Sequence, residues 1–220
     1  MTTRTAAEAA WDRYAEHKAR QPVRTVRAGQ TWFNWTQYPD HGPDEKVLGS
    51  PSTALELGCG TGRNAAHLAL RGVEVTGVDI SGVPLEQADE QWGRIKRLRF
   101  VQQDAVDFLR AERTRYSAIY SVFGAAWFTD PKELLPLVRS RLKPGGVYAF
   151  SHEPPIEGCY GCQGVYVRTR SGRRVPLRRW AYTPAMWHDL LRAHGFQWIT
   201  AGVIPPPEPD DIPTLIVRAR

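Results

Sequence analysis

The chain is poor in the residues that build a scaffold without a hydrophobic core. It holds three cysteines in 220 residues, and Cys59 sits inside a glycine turn. That is too few and too badly placed for a disulfide framework. No apolar stretch approaches the ~20 residues that cross a bilayer. The opening MTTRTAAEAAWDRYAEHK reads as a helix and lacks the apolar centre of a secretory signal. A cytoplasmic protein without a membrane partner is the expectation. Lysine occurs only at positions 18, 46, 96, 132 and 143, so the net charge of +6 is carried mainly by arginine. The densest cluster is Arg168, Arg170, Arg173, Arg174, Arg178 and Arg179, around a Ser171-Gly172 turn. It reads either as a solvated hairpin or as a rim that recognises an anionic substrate.

What is present is one domain's worth of alternating pattern. At 220 residues, 42% of them hydrophobic and 24% charged, the chain suits a single buried core. From Val47 onward, strand-like and helix-like runs alternate, which predicts a mostly parallel sheet with helices on both faces. Strands are expected at 53–57, 73–78, 98–103, 116–122 and 146–151, with helices at 62–71, 84–92, 105–112 and 131–142. Asp130, Pro131 and Glu133 mark a helix start, and Lys143-Pro144-Gly145-Gly146 a stop. An irregular insertion follows at 152–180, then a helix at 183–194 and two closing strands, 196–203 and 215–219. Before the sheet, residues 1–45 form a separate layer. A helix at 5–20 precedes Trp32, Phe33, Trp35 and Tyr38, which crowd together ahead of Pro-Asp-His-Gly-Pro turn chemistry and suggest a folded-over lid.

The most informative segment is TALELGCGTG, residues 53–62. An apolar strand ends at Glu56 and breaks into Gly58, Gly60 and Gly62 before a helix. Such a turn lets a ligand approach bare backbone, and the helix start presents unpaired N–H groups. Asp79 ends the next strand, where a carboxylate can take ribose hydroxyls. Dinucleotide sites use G-x-G-x-x-G; here the third glycine comes one position early and Arg63 stands in its place. The pattern E-x-G-x-G-x-G followed by V-D-x-S resembles motif I and its acidic partner in class I S-adenosylmethionine-dependent methyltransferases. Residues 46 to 220 share the resemblance, and L-K-P-G-G-x-x-x-F looks like a later turn of that family.

The resemblance implies a Rossmann-like α/β fold with a seven-stranded, mostly parallel sheet and an antiparallel C-terminal strand. It implies S-adenosylmethionine as cofactor and S-adenosylhomocysteine as product. Glu56, Gly58, Gly60 and Gly62 would surround the methionine part, Asp79 the ribose, and Ile80 one adenine face. Asp104 and the Ala105 N–H would meet the adenine, and Ser121 would face the sulfonium. Asp79 and Asp104 can also cap the helices that follow them, and Ile80 can be plain core.

The fourth strand region, YSAIYSVFGAAWFTDP, lacks the Asn/Asp-Pro-Pro-aromatic tetrad of amino-directed nucleic-acid methylases and the acidic ligands of metal-dependent catechol-type enzymes. A metal-independent, O- or N-directed reaction on a small aromatic or amine-bearing molecule remains. His152 is the candidate base, or else a structural hydrogen-bonder. Trp35, Tyr38, Trp127 and Tyr160 are expected to line the acceptor pocket, and Glu153 to orient the acceptor. Cys159-x-x-Cys162 with His152 lacks a fourth ligand, so no metal site is expected. An RNA or protein methylase docking through the arginine hairpin, or a non-catalytic cofactor-binding regulator, stays as an alternative. Nucleic acid is disfavoured, and the choice between monomer and homodimer stays open.

Overall fold

The computed structural model describes residues 6–18, 32–168 and 174–220. Five strands alternate with helices: β1 (Thr53–Leu57), α2 (Arg63–Leu70), β2 (Glu74–Asp79), α3 (Gly82–Trp92), β3 (Leu98–Gln102), α4 (Ala105–Ala111), β4 (Tyr116–Val122), α5 (Ala125–Phe128), α6 (Pro131–Arg141) and β5 (Leu142–His152). Then come β6 (Gly161–Arg168), β7 (Arg174–Ala181), α7 (Pro184–Ala193), β8 (Thr200–Ile204) and β9 (Thr214–Ala219), with α1 (Ala6–Lys18) ahead of them all. The main sheet has seven strands in the order β3-β2-β1-β4-β5-β9-β8, and β9 runs antiparallel to both its neighbours. Winding goes outward in one direction through β2 and β3 and in the other through β4 and β5. The reversal falls between β1 and β4, and ligands of such sheets sit beyond the carboxyl ends of the strands there.

Two apolar layers flank the sheet. One joins Leu55, Ile119, Phe108, Leu134, Val138, Trp187 and Phe196 under α4, α6 and α7. The other joins Ala54, Ala65, Leu68, Tyr120 and Ala149 with Phe33, Trp35 and Leu48. Trp35 is wholly buried, and its indole N–H donates to the Asp44 carbonyl at 3.0 Å. The aromatic run therefore supplies core to one face of the sheet, which corrects the reading of Trp35 as an acceptor-pocket residue. Its neighbour Tyr38 stays half-buried and donates from its hydroxyl to the Ile212 carbonyl at 2.8 Å.

The covering element over the strand ends is α1. Trp11 packs edge-on against Phe128 with ring centroids 4.6 Å apart. The Ser81 hydroxyl donates to Asp12 at 2.5 Å, and Gln102 donates to Glu8 at 3.3 Å. These partners stand at or just beyond the carboxyl ends of β2, β3 and β4.

Several boundaries differ from the sequence reading. The insertion is largely an ordered antiparallel hairpin, β6 with β7. Its turn, 169–173, lies outside the described residues, and so do Arg170 and Arg173 of the arginine cluster. β5 begins at Leu142 because the Lys143–Gly146 segment bulges out where the β4–β5 register shifts. β8 begins at Thr200, not Phe196. Phe196 is a buried core plug, and the exposed Trp198 takes φ 48°, which interrupts extended backbone. The short helix α5 was not expected, since four apolar residues carry no helical period.

Candidate active site

The glycine turn divides its labour among three glycines, each with positive φ. A Cβ on Gly58 would stand 2.5 Å from the Ala125 nitrogen, so this glycine lets the β1 and β4 turns meet. A Cβ on Gly62 would stand 2.3 Å from the Phe100 ring, so this one seats α2 against β3. Gly60 has open space around it, and its N–H donates to Asp79 Oδ2 at 2.8 Å. Gly60 is thus the glycine of the turn whose backbone has no neighbour within 4 Å of where a side chain would stand.

Asp79 takes one backbone N–H on each oxygen, Gly60 on Oδ2 and Ser81 on Oδ1 at 2.9 Å. A carboxylate offers about four lone-pair sites, so these two bonds do not exhaust it. Burial pushes its pKa up, opposed by these two N–H groups. Asp104 caps α4, accepting from Val106 at 2.8 Å and Asp107 at 3.2 Å, both on Oδ1. Both capping bonds use Oδ1, so capping does not by itself occupy Oδ2. Ile80 is half-buried beside Asp79, and Ala105 is buried at the start of α4.

Glu56 is buried beneath the turn, where it accepts from the Tyr120 hydroxyl at 3.2 Å. Burial raises its pKa to about 8, so the acid is mostly protonated at neutral pH. Ser121 is also fully buried. Its hydroxyl donates to the Leu57 carbonyl at 2.7 Å and accepts from the Ala126 N–H at 3.1 Å. It braces β1, β4 and α5 together, a different task from the expected one of facing a sulfonium.

A second cluster stands at the end of β5. His152 is completely buried and stacks on Trp127 with centroids 5.4 Å apart and rings 8° from parallel. Its Nδ1 lies 2.6 Å from the Glu153 carbonyl oxygen. A carbonyl only accepts, so Nδ1 carries the hydrogen. Burial, with help from the Arg179 charge, lowers the imidazole pKa to about 4. The ring is therefore neutral at pH 7, and Nε2 presents a lone pair that no described group fills. Above Trp127, at 5.1 Å, lies the Arg179 guanidinium, whose Nη1 pairs with Glu153 Oε2 at 3.2 Å. Exposed Tyr160 borders a shallow groove with Tyr182, Met186 and Leu190. Cys159 and Cys162 are exposed free thiols. Among the described residues no three His, Cys, Asp or Glu side chains converge as a metal set.

Sequence reasoning missed Arg179 as an individual. Strand alternation was the available signal: Arg178 faces outward and Arg179 inward along β7. Phe123 was missed too. It holds φ 48° at the end of β4, the kind of strained position that clusters at functional sites.

This geometry is an open α/β sheet with a glycine turn at its switch point and an aromatic cluster at the adjoining strand ends. The comparisons with known proteins agree. A methyltransferase domain model matches residues 54–146. The chain is 33% identical over 105 residues to a trans-aconitate 2-methyltransferase of Paracidovorax citrulli, covering 47% of this chain and 39% of that protein. It is 28% identical over 142 residues to a ubiquinone biosynthesis O-methyltransferase of Pseudomonas savastanoi, covering 64% and 56%. The chain thus spans only about half the length of these relatives. In fold it resembles the Burkholderia thailandensis 1,6-didemethyltoxoflavin-N1-methyltransferase bound to S-adenosylhomocysteine, with a TM-score of 0.58 and 24% identity over 79% of this chain and 72% of that one. Residues 54–146 thus match a methyltransferase domain, and the chain is similar to class I S-adenosylmethionine-dependent methyltransferases.

The residues present suit that cofactor. Open space at Gly60, spare lone pairs on Asp79 and a buried acid at Glu56 are the chemistry that a methionine head and a ribose diol would need.

The described residues contain no helix long and apolar enough to cross a membrane.

Proposed function

We propose that this protein transfers a methyl group from S-adenosylmethionine to an oxygen or nitrogen of a small molecule, with His152 receiving the acceptor's proton. The observation that carries the second half is the buried, neutral imidazole whose Nδ1–H is committed to the Glu153 carbonyl, leaving Nε2 as an acceptor. When bound, the cofactor supplies an electrophilic methyl on a good leaving group, so the protein's tasks are alignment, exclusion of water and proton removal.

The chain's residues divide these tasks. Asp79, Asp104 and the Gly60 backbone fix the nucleoside. Trp11 of α1 and Phe128 close over the strand ends and keep water out. Trp127 holds the His152 ring flat, so Nε2 keeps one direction. A base of pKa about 4 takes a proton only from a donor that becomes acidic as its bond to the methyl forms. An acceptor O–H or N–H does so in the transition state. The relatives named for trans-aconitate, a ubiquinone precursor route and didemethyltoxoflavin all support a small acceptor.

The test is an acceptor screen that reads out S-adenosylhomocysteine, run beside Asp79→Ala. Product formation that needs both an acceptor and Asp79 supports the reading. Turnover with RNA or protein acceptors alone would refute it.

A further inference from the structure

The cluster at the end of β5 has unmet hydrogen-bond needs of a definite kind. Trp127 Nε1 and Arg179 Nε are buried and have no partner among the described residues, and both can only donate. Among the described residues His152 Nε2 is a buried acceptor without a partner in the same cluster, and Trp187 Nε1, on a ring 5.8 Å from His152, is a further donor without one. Buried donors left unpaired are destabilising, and native proteins seldom tolerate them without a function. Arg179 is only 20% exposed and Glu153 29%, yet they meet through one guanidinium nitrogen, so most of the fork is uncommitted. A side-chain strut between hairpin and sheet would be expected to use that fork more fully.

Resting on the methyl-transfer reading, we propose that the acceptor carries a carboxylate. Arg179 and Trp127 receive it, and Glu153 occupies Arg179 until it arrives. A carboxylate is the fitting group because Glu153 already presents one to the same guanidinium. An amine is the wrong chemistry: it brings more donors to a site that lacks acceptors, and Arg179 already neutralises Glu153. With the carboxylate on Arg179 and Trp127, a neighbouring O–H or N–H of the same molecule finds His152 Nε2. The acceptor class is therefore a hydroxy or amino acid with a flat or short apolar frame against Trp127.

The experiment uses the full chain saturated with S-adenosylhomocysteine and follows the Trp127 indole N–H by NMR, assigned with Trp127→Phe. Benzoate, benzamide and benzylamine serve as probes. Benzoate is expected to shift that resonance saturably, with benzamide and benzylamine at least about ten-fold weaker. Arg179→Gln should weaken benzoate about ten-fold. Glu153→Gln should tighten it several-fold, because a competitor for Arg179 is gone. If Arg179→Gln folds poorly, Glu153→Gln decides alone: tighter binding supports the proposal, and unchanged or weaker binding overturns it. No saturable benzoate response, an equal response to benzamide, or benzylamine binding that Glu153→Gln abolishes would each overturn it. Failure of S-adenosylhomocysteine itself to saturate the chain would overturn the methyltransferase reading as well, which separates the two.

Discussion

His152 and Trp127 lie face to face, 5.4 Å between centroids and 8° from parallel, at the carboxyl end of β5. The stack explains how an imidazole can be fully buried and still directional. The indole shields one face of the ring, Phe150 stacks at 5.8 Å, and the Glu153 carbonyl fixes the Nδ1 hydrogen. What remains is a single lone pair with a set direction.

Burying a neutral histidine has a price in acid. Its folded pKa of about 4 lies below the ordinary 6.5, so the unfolded chain binds the proton more readily. Stability from this group is complete above pH 6.5 and declines as pH falls towards 4. The loss should be about 3 kcal/mol at most. Urea unfolding between pH 4 and 7 should show this slope in the native chain and a shallower one in His152→Gln. The same variant should keep S-adenosylhomocysteine affinity and lower kcat by about 10²-fold or more. An unchanged kcat would remove His152 from the proton path.

Glu56 gives the opposite sign. Its pKa is raised to about 8, so the empty site carries a mostly neutral acid at pH 7. An ammonium head placed beside it favours the carboxylate and expels the proton. Calorimetry at pH 7 in buffers of different ionisation enthalpy should therefore record release of up to about one proton per bound S-adenosylhomocysteine. Glu56→Gln should bind more weakly and release none. Equal proton release by the variant would show that the linkage lies elsewhere.

The three glycines of the turn differ in what a methyl would do. Gly62→Ala places a Cβ 2.3 Å from the Phe100 ring at φ 69°, so it should cost about 2 kcal/mol or more. Phe100→Leu should recover part of that loss in the double variant, leaving the backbone strain. Urea midpoints of the four combinations measure the coupling. Additive losses would mean that the helix does not depend on this contact.

The cover over the strand ends should matter to ligand residence more than to the sheet. Trp11→Ala removes the contact with Phe128. It should speed S-adenosylhomocysteine dissociation about ten-fold, with a small change in the unfolding midpoint. A large midpoint change with unaltered dissociation would make α1 a core helix and not a lid.

Much of this was legible in the sequence, for identifiable reasons. The glycine turn, Asp79 and the Asp130 cap announce themselves because each is a local need of the backbone or of a helix end. The parallel sheet follows from alternation alone, and the antiparallel final strand from the family resemblance. Burial was less legible. Trp35 was read as a site residue because aromatic rings suit ligands, and Ser121 because the family resemblance implies it. In the fold Trp35 fills a sheet face and Ser121 ties β1 to β4. Residue type does not say which face of an irregular segment turns inward. Arg179 was hidden for the converse reason: among the described arginines of the cluster, only the pleat of β7 sets it apart from the exposed Arg174 and Arg178.

Whether Asp79 and the Gly60 backbone hold a sulfonium nucleoside can be read from calorimetry. The account predicts saturable one-to-one heat with S-adenosylhomocysteine, lost or weakened at least about ten-fold in Asp79→Ala. Heat from NADH, with none from S-adenosylmethionine or S-adenosylhomocysteine, would contradict it.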